Sequence, residues 1–349
     1  MSSDTVFPNT VFPNTVFPNT VDQLPTPSLL VEQSTFEANV AAMSSALPGD
    51  RLRPHVKAFK STALAERLVE AGHLNFCAAT IREMEGMAAA GMGTDLLLAN
   101  QTLDADRLGR LVDQGHRITV AVDSPETVDA ALAGGVREVL IDVDVGMPRC
   151  GVAPDDAGAL ADLARRGGLE VRGVMGYEGH LMMAEPDEKP AQVEASMADL
   201  LRASAAVGGD VVSAGGTGTY DVNTWATEIQ AGSFCLLDTD YAKLDSPFDI
   251  ALTVLATIIS TNRNGWAVAD AGLKAFGMDH GGPTWPDGEL FYCADEHTVL
   301  LDPENHLAVG DRVRLEPGHV DPTVARHERF WVVDGEDVVD QWAIDLRHW

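Results

Sequence analysis

Residues 138–177 read EVLIDVDVGMPRCGVAPDDAGALADLARRGGLEVRGVMGY, with an apolar run at each end and a helical segment between them. The apolar runs are Glu138–Asp144 and Glu170–Tyr177, and the helical segment is Asp155–Arg166. Two short apolar runs joined by a helix predict a β-α-β unit. Its strands are parallel because the helix carries the chain back across the sheet.

The same alternation continues on both sides of this unit. Six further strands are predicted at Arg51–Lys57, Leu74–Ala79, Asp95–Asn100, Ile118–Asp123, Val211–Ala214 and Glu228–Phe234. Five further helices are predicted at Thr62–Ala71, Ile81–Ala90, Leu103–Gln114, Glu126–Gly134 and Glu194–Ala206. Eight strands alternating with helices predict an α/β fold, a (β/α)8 TIM-like barrel. The helical pattern between the last two strands is weak.

The pattern changes after about residue 250, where strands follow one another without helices. They are predicted at Leu252–Ser260, Trp266–Asp270, Glu289–Cys293, Thr298–Leu301, Arg312–Leu315, Phe330–Val333 and Gln341–Ile344. This pattern predicts a C-terminal antiparallel β domain, which the early strand Ser28–Glu32 could join. We therefore predict a tail at residues 1–21, a barrel at 22–250 and a β domain at 251–349.

The tail has a repetitive sequence. Residues 5–20 contain three copies of TVFPN followed by Thr20, with proline at positions 8, 13 and 18. Proline at this spacing excludes a helix, and three five-residue copies are too short for a solenoid. We predict a disordered tail. The alternative is an exposed adhesive arm, because Val and Phe recur in each copy.

The charge balance is strongly acidic, with a formal net charge of −29. Nucleic acids and anionic membrane surfaces are therefore not expected as partners. The sequence has no uncharged apolar stretch of ~18 residues that would predict a membrane span, and no signal-peptide pattern. The four cysteines, at positions 77, 150, 235 and 293, lack Cys-x-x-Cys spacing. This favours a reduced, cytoplasmic protein.

Functional residues of a barrel lie at the C-terminal ends of its strands. RPHVK at residues 53–57 ends the first predicted strand and places Lys57 at the barrel mouth, partly removed from water. Desolvation lowers the pKa of an amine, as a lysine that forms a Schiff base requires. The alternatives are an ordinary surface lysine here, or Lys274 in DAGLK as the reactive lysine.

A glycine-rich loop, SAGGTGT at residues 213–219, follows the seventh predicted strand. Glycines let backbone N–H groups surround an anion, and hydroxyls add donors. The loops after strands seven and eight are the usual phosphate site of this fold. The alternative is a plain turn. The candidate phosphate-binding residues are Ser213, Gly215, Gly216, Thr217 and Gly218, with Gly232 and Ser233 after the eighth strand.

Two further strand ends carry polar side chains. GYEGH at residues 176–180 offers Tyr177 as a contact for a cofactor ring and His180 as a general base. Arg149 follows the fifth strand, where it can bind a carboxylate or a cofactor oxygen. The alternatives are that Tyr177 only packs in the core, that His180 only forms a hydrogen bond, and that Arg149 forms a structural ion pair.

The β domain contributes PGHVDPT at residues 317–323. His319 and Asp321 would face the same side of an extended segment. Imidazole and carboxylate suit Mn²⁺, Mg²⁺ or Zn²⁺ with several waters. The alternative is a histidine that caps a turn.

Taken in order, RPHVK, GYEGH, SAGGTGTY, EIQAGSF, DAGLK and PGHVDPT resemble the D-threonine aldolase and D-serine dehydratase family. These are fold-type III pyridoxal-phosphate enzymes related to alanine racemase. The resemblance covers roughly residues 24–345. It implies that Lys57 forms the Schiff base, that the SAGGTGT and AGS loops bind the phosphate, and that Tyr177 and Arg149 surround the pyridine ring.

The resemblance also implies a metal site at His319 and Asp321, an amino-acid substrate and a homodimer in which each barrel faces the partner's β domain. Aldolases of this family tend to carry His-x-Asp and dehydratases His-x-Cys, so the sequence favours aldol cleavage. Met182 and Met183 stand where a base further along would be expected, which leaves His180 as the nearest candidate. Dehydration, racemization, a non-catalytic cofactor carrier and a structural metal protein are the alternatives.

Overall fold

The computed structural model describes residues 17–349, which form two sheets and eight α-helices within that range. The helices are α1 Gln33–Ala46, α2 Thr62–Glu70, α3 Ile81–Ala89, α4 Asp106–Asp113, α5 Pro125–Ala133, α6 Ala157–Gly167, α7 Lys189–Val207 and α8 Val320–Arg326. None of them is long and apolar enough to cross a membrane.

The parallel sheet contains seven strands in sequence order. They are β2 Asn75–Ala78, β3 Asp95–Leu98, β4 Ile118–Val122, β5 Glu138–Asp142, β6 Glu170–Met175, β7 Val211–Ala214 and β8 Glu228–Ile229. Helix α2 precedes β2, each of the helices α3 to α7 lies between two consecutive strands, and no α-helix lies between β7 and β8. The predicted TIM-like barrel is therefore confirmed, and the weak helical pattern before the last strand corresponds to turns.

The eighth position of the barrel is not a regular strand. The predicted strand Arg51–Lys57 contains only a short extended segment, which is flanked by single 3-10 turns. The backbone N–H groups of Arg53 and His55 donate to the carbonyls of Ile229 and Ala231, at 2.9 and 3.0 Å, and the carbonyl of Pro54 accepts from Cys77 at 3.0 Å. This segment thus bridges β8 and β2 and closes the barrel. Pro54 lacks an N–H group, which weakens a regular ladder here.

The helices around the barrel begin at side-chain caps and pack closely. Thr80 and Glu83 form a reciprocal capping box at the start of α3, and Ser124 caps α5 just before Pro125. A Cβ placed on Gly109 of α4 would lie 1.7 Å from the carbonyl oxygen of Gly134, which ends α5. Glycine is therefore required for α4 to approach α5.

The second sheet forms the β domain, and it includes a strand that precedes the barrel in the sequence. Its strands are β1 Ser28–Glu32, β9 Leu252–Asn262, β10 Trp266–Ala269, β11 Leu290–Cys293, β12 Thr298–Leu301, β13 Arg312–Leu315, β14 Arg329–Asp334 and β15 Asp337–Ala343. Strand β1 pairs parallel with β14 and antiparallel with β9. The domain is therefore mainly antiparallel but takes one strand from before the barrel.

The tail lies largely outside the described residues. Residues 1–16 are not described, so their predicted disorder stays a prediction. Assignment of the tail as far as residue 21 is wrong, because Val21 is buried and its N–H group donates to the carbonyl of Glu336. Phe17 contacts the Trp331 ring edge-on, with ring centroids 6.0 Å apart. The end of the third TVFPN copy thus packs on the β domain.

Candidate active site

A cavity of about 300 Å³ opens at the C-terminal ends of the barrel strands. Its lining includes His55, Lys57, Asn100, Arg149, Tyr177, Gly215, Gly216, Thr217, Gln230, Gly232, Ser233 and Tyr241. Its volume is at the lower end of the roughly 300–1,000 Å³ usual for ligand sites. The fold therefore brings most of the predicted cofactor-binding residues to one place.

A larger cavity, of about 940 Å³, lies against the β domain between the N-terminal segment and α8. Trp331, Arg326 and Pro25 are among its lining residues. Of the residues considered for chemistry, it is lined only by Lys274, the alternative reactive lysine. We place the active site in the smaller cavity, because reactive groups converge there.

Lys57 is the lysine of the smaller cavity. It lies in the 3-10 turn just after the closing segment of the barrel, and its side chain is 39% exposed. Its Nζ lies 3.5 Å from Oδ2 of Asp321. The nearby Asp321 carboxylate raises the pKa of Lys57 more than partial desolvation lowers it, so the expectation of a lowered pKa is wrong for this arrangement.

Two loops that border the cavity carry backbone N–H groups without protein acceptors among the described residues. Within residues 17–349, the N–H groups of Thr217, Gly218, Gly232 and Ser233 donate to no protein acceptor. The Thr217 hydroxyl oxygen accepts from the N–H of Phe234 at 3.1 Å, which ties the two loops together. Unpaired donors from two neighbouring loops form a neutral binding site for an anion.

Glu178 shapes the first of these loops, and the sequence analysis did not single it out. Its carboxylate is fully buried and accepts from the Gly215 N–H at 3.1 Å, the Thr219 hydroxyl at 2.9 Å and the Asn223 amide at 2.8 Å. The available signal was an acidic residue inside GYEGH, directly after a buried strand. Lys189 supports the loop from outside by donating to the carbonyls of Met182 and Gly218.

Arg149 and Tyr177 lie together on the cavity wall. The guanidinium carbon of Arg149 is 5.3 Å from the centroid of the Tyr177 ring, a cation–π distance. Burial raises the pKa of Tyr177, and it raises the pKa of Tyr241 well above its usual value. Both phenols are therefore neutral hydrogen-bonding groups. Burial lowers the pKa of His55 well below its usual value, so this imidazole is neutral too.

Five predicted site residues are not in the cavity lining: His319 and Asp321 of the β domain, and His180, Ser213 and Gly218 of the barrel. His180 is exposed, and its ring lies beside Gly146, where a Cβ would come within 3.2 Å of it. The buried Ser213 hydroxyl donates to Glu228 at 2.6 Å and accepts from Gln230 at 2.8 Å. Gly218 packs against the carbonyl of Met182. Ser213 and the Cα of Gly218 therefore support the cavity from behind.

His319 and Asp321 occupy a helix start rather than the extended segment that we expected. His319 is the N-cap of α8 and Asp321 is its second residue. The first turn of a helix tolerates Pro322 and favours an aspartate. The Asp321 carboxylate faces Lys57, whereas His319 Nδ1 lies 2.8 Å from Oδ2 of Asp279. The two side chains therefore start from one backbone turn and contact different neighbours.

The donor set of the cavity fits pyridoxal phosphate. A lysine amine suits the aldehyde of this cofactor, and unpaired backbone N–H groups suit its phosphate. Glycine is needed at Gly232, because a Cβ there would lie 2.4 Å from the carbonyl oxygen of His55. The barrel, the lysine at its mouth and the N–H groups after β7 and β8 define the class of fold-type III pyridoxal-phosphate proteins.

Comparison with known families agrees with this class. Residues 31–238 match the family described as alanine racemase, N-terminal domain, and residues 251–333 match the putative serine dehydratase domain. The first match covers more than half of the chain. The protein belongs to the alanine racemase N-terminal domain family, here combined with a serine-dehydratase-type second domain.

Sequence similarity to individual relatives extends over nearly the whole chain. The chain is 35% identical to a D-threonine aldolase of Arthrobacter sp. over 92% of each sequence. It is 29% identical to a 3-hydroxy-D-aspartate aldolase of Paracoccus denitrificans, over 93% of this chain and 92% of the relative.

Solved structures show the same two-domain architecture. D-threonine aldolase from Filomicrobium marinum superposes with a TM-score of 0.88 at 28% identity, covering 94% of this chain and 97% of that one. D-threo-3-hydroxyaspartate dehydratase from Delftia sp. HT23 superposes with a TM-score of 0.86 at 27% identity, covering 95% of this chain and 100% of that one. The fold is therefore shared by relatives that carry out two different reactions.

Proposed function

We propose that this protein is a pyridoxal-phosphate- and divalent-metal-dependent aldolase that cleaves D-3-hydroxy-amino acids, converting D-threonine into glycine and acetaldehyde. The observation that carries the proposal is the placement of the Lys57 amine. It shares one cavity with unpaired N–H groups and lies 3.5 Å from the Asp321 carboxylate of the candidate metal pair. The aldolase relatives, matched over more than nine-tenths of this chain, support the same reaction.

The residues of the cavity have separable tasks in this reaction. Lys57 would bind the cofactor covalently, and the loops at Gly215–Gly218 and Gly232–Ser233 would hold its phosphate. Tyr177 and Arg149, which lie together on the cavity wall, would face its ring. When bound, the cofactor accepts the electron pair released as the Cα–Cβ bond breaks. A base takes the proton of the 3-hydroxyl group, acetaldehyde leaves, and Cα gains a proton to give glycine.

The base that takes this proton must reach the 3-hydroxyl group from the wall of the cavity. His180 stays our candidate, and it would have to turn toward the cavity from its exposed position beside Gly146. His55 and Tyr241 line the cavity, but burial lowers the pKa of His55, which makes it a weak base, and raises the pKa of Tyr241, which keeps its proton in place; both are better suited to hydrogen bonding.

His319 and Asp321 would hold the metal, which we propose to be Mn²⁺ rather than Mg²⁺ or Zn²⁺. An imidazole and a carboxylate are suitable ligands for Mn²⁺. Both stand at the start of α8, and Asp321 already faces the cavity. A mutant of a D-threo-3-hydroxyaspartate dehydratase with the same fold has been solved in a metal-free form, which supports a metal in that relative. A metal lowers the pKa of a bound hydroxyl group and so helps a base to remove its proton.

Dehydration to an oxo acid and ammonia is the second candidate, because the Delftia dehydratase has nearly the same fold and coverage. The same lysine and metal ligands would serve both reactions. The carboxylate of Asp321, where dehydratases of this family tend to carry cysteine, favours aldol cleavage.

We further propose a cytoplasmic homodimer. The exposed Phe291 and Tyr292 on the edge strand β11 offer an apolar surface for a second copy. All four cysteines are free, which suits a reducing compartment.

The test is to reconstitute the protein with pyridoxal phosphate and incubate it with D-threonine, with and without Mn²⁺. Acetaldehyde that depends on Mn²⁺ and is not formed from L-threonine would support the aldolase. 2-Oxobutanoate in its place would identify the dehydratase. Lys57→Ala should abolish the visible absorbance band of the bound cofactor, whereas Lys274→Ala should retain it. Loss of the band only in Lys274→Ala would refute the assignment of Lys57.

A further inference from the structure

A group of side chains that could bind a metal lies around His319, outside the cavity lining. Asp279, His280 and His319 each offer one ligand atom, and these atoms lie within 4.8 Å of one another. Asp279 and His280 belong to the loop between β10 and β11. This loop packs directly on the turn before α8, since a Cβ on Gly318 would lie 2.7 Å from the carbonyl oxygen of Gly281.

The two histidines are arranged as a stack. Their rings are parallel within 3°, and their centroids are 4.0 Å apart. Each Nδ1 has its own carboxylate partner. His319 Nδ1 lies 2.8 Å from Asp279 Oδ2, and His280 Nδ1 lies 3.2 Å from Asp240 Oδ2.

This geometry determines which nitrogen of His319 is free. An imidazole binds a metal through a lone pair in the plane of its ring, so two stacked rings cannot both point at one ion. His319 is the less exposed of the two, with 18% of its side chain accessible against 43% for His280. With Nδ1 held by Asp279, only Nε2 of His319 remains for a metal.

We propose that Asp279 is a positioning residue of the metal site, which holds His319 Nδ1 so that Nε2 is presented to the metal, while His280 fixes the ring plane by stacking. A carboxylate on the far nitrogen of a metal-binding histidine fixes its tautomer and makes it a stronger ligand. This inference rests on the proposed metal dependence, and it assigns no direct metal contact to Asp279.

The experiment measures Mn²⁺ affinity by the electron paramagnetic resonance signal of the free ion, with cofactor-loaded protein and no substrate. Loss of such a supporting carboxylate typically weakens metal binding about 10–100-fold. We expect this loss for Asp279→Ala and a smaller one for Asp279→Asn, whose amide oxygen still accepts from Nδ1–H. The cofactor absorbance and the thermal midpoint without metal should not change.

A control variant removes the same charge without touching His319 or His280. Asp287→Ala lies in the same loop. It should bind Mn²⁺ within about threefold of the wild type, a difference below 1 kcal/mol. Equal losses of Mn²⁺ affinity in Asp279→Ala and Asp287→Ala would show only a general attraction of the cation by negative charge, and would overturn the proposal. Unchanged Mn²⁺ affinity in Asp279→Ala would overturn it too.

His319→Ala separates this proposal from the proposed function. If the wild type binds one Mn²⁺ and His319→Ala does not, the metal site stands and only the role of Asp279 is at issue. If the wild type binds no Mn²⁺, the metal dependence itself fails, and the role of Asp279 fails with it.

Discussion

Glu178 holds the glycine loop by accepting three hydrogen bonds in a position without solvent contact. Buried carboxylates are stable only when donors surround them. The loop therefore takes its shape from a residue that never contacts the ligand. Ser213 has a similar place behind the cavity, bound to Glu228 rather than to a phosphate.

Replacement of Glu178 by glutamine should weaken cofactor binding. The amide group would face the donors of Gly215, Thr219 and Asn223 with an NH₂ on one side, leaving at least one of them unpaired. We expect about 2 kcal/mol less stability and about tenfold weaker binding of pyridoxal phosphate. Absorbance titration measures the binding. The exposed Glu188→Gln is the control, and equal binding by both variants would contradict this role.

Asp142, at the end of β5, predicts a pH effect on stability. Burial raises its pKa to about 6, from an unfolded value near 3.8. A carboxyl group whose folded pKa is raised costs stability once it ionises. The cost is absent below about pH 4, grows as the pH rises and is complete above about pH 6.

Asp142→Asn should remove this cost and keep an acceptor for the Gln101 amide, which donates to Asp142 at 2.6 Å. We expect the variant to gain up to about 3 kcal/mol over the wild type at pH 7.5 and little at pH 4. Urea unfolding at both pH values measures the difference. An equal gain at both would show that ionisation is not the cause.

At the scale of elements, helix packing around the barrel depends on a few glycines. Gly109→Ala would push a methyl group into the carbonyl of Gly134, a backbone atom that cannot move aside. We expect a loss of about 1–3 kcal/mol from overpacking, although alanine is the better helix former. Urea midpoints should be compared with Gly158→Ala, where the nearest atom is a side-chain carbon at 3.2 Å. A larger loss for Gly158→Ala would be inconsistent with this explanation.

Helix α8 shows how an element changes the interpretation of a motif. The spacing of His319 and Asp321 suggested one extended ligand pair. In the helix start, Asp321 turns to Lys57 and His319 to Asp279. Proline after aspartate was the available signal for a first helical turn.

For the whole molecule, the net charge of −29 predicts a dependence on salt. Unbalanced negative charge repels itself more strongly in the compact state, and ions screen this repulsion. We expect the thermal midpoint to rise between about 0.05 and 0.5 M NaCl at pH 7.5, where the Debye length falls severalfold. Circular dichroism measures the midpoint. Near the isoelectric point the rise should vanish, and its persistence there would point to another cause.

Short-range patterns were sufficient for the alternation of strands and helices, for Lys57 at a strand end and for the glycine loop, because each depends on residues close together in the chain. Helix α1 and the shape of the segment that closes the barrel were missed, because neither has a clear period.

Contacts between distant parts of the chain were decided only by tertiary structure. Strand β1 pairs with β14 about 300 residues later, Glu178 meets Asn223, and Asp279 meets His319. Such pairs are selected by burial and by the need to satisfy buried polar groups, which act only once the two sheets have formed. For the same physical reason, the pKa of Lys57 is raised rather than lowered, since Asp321 reaches it from the other domain.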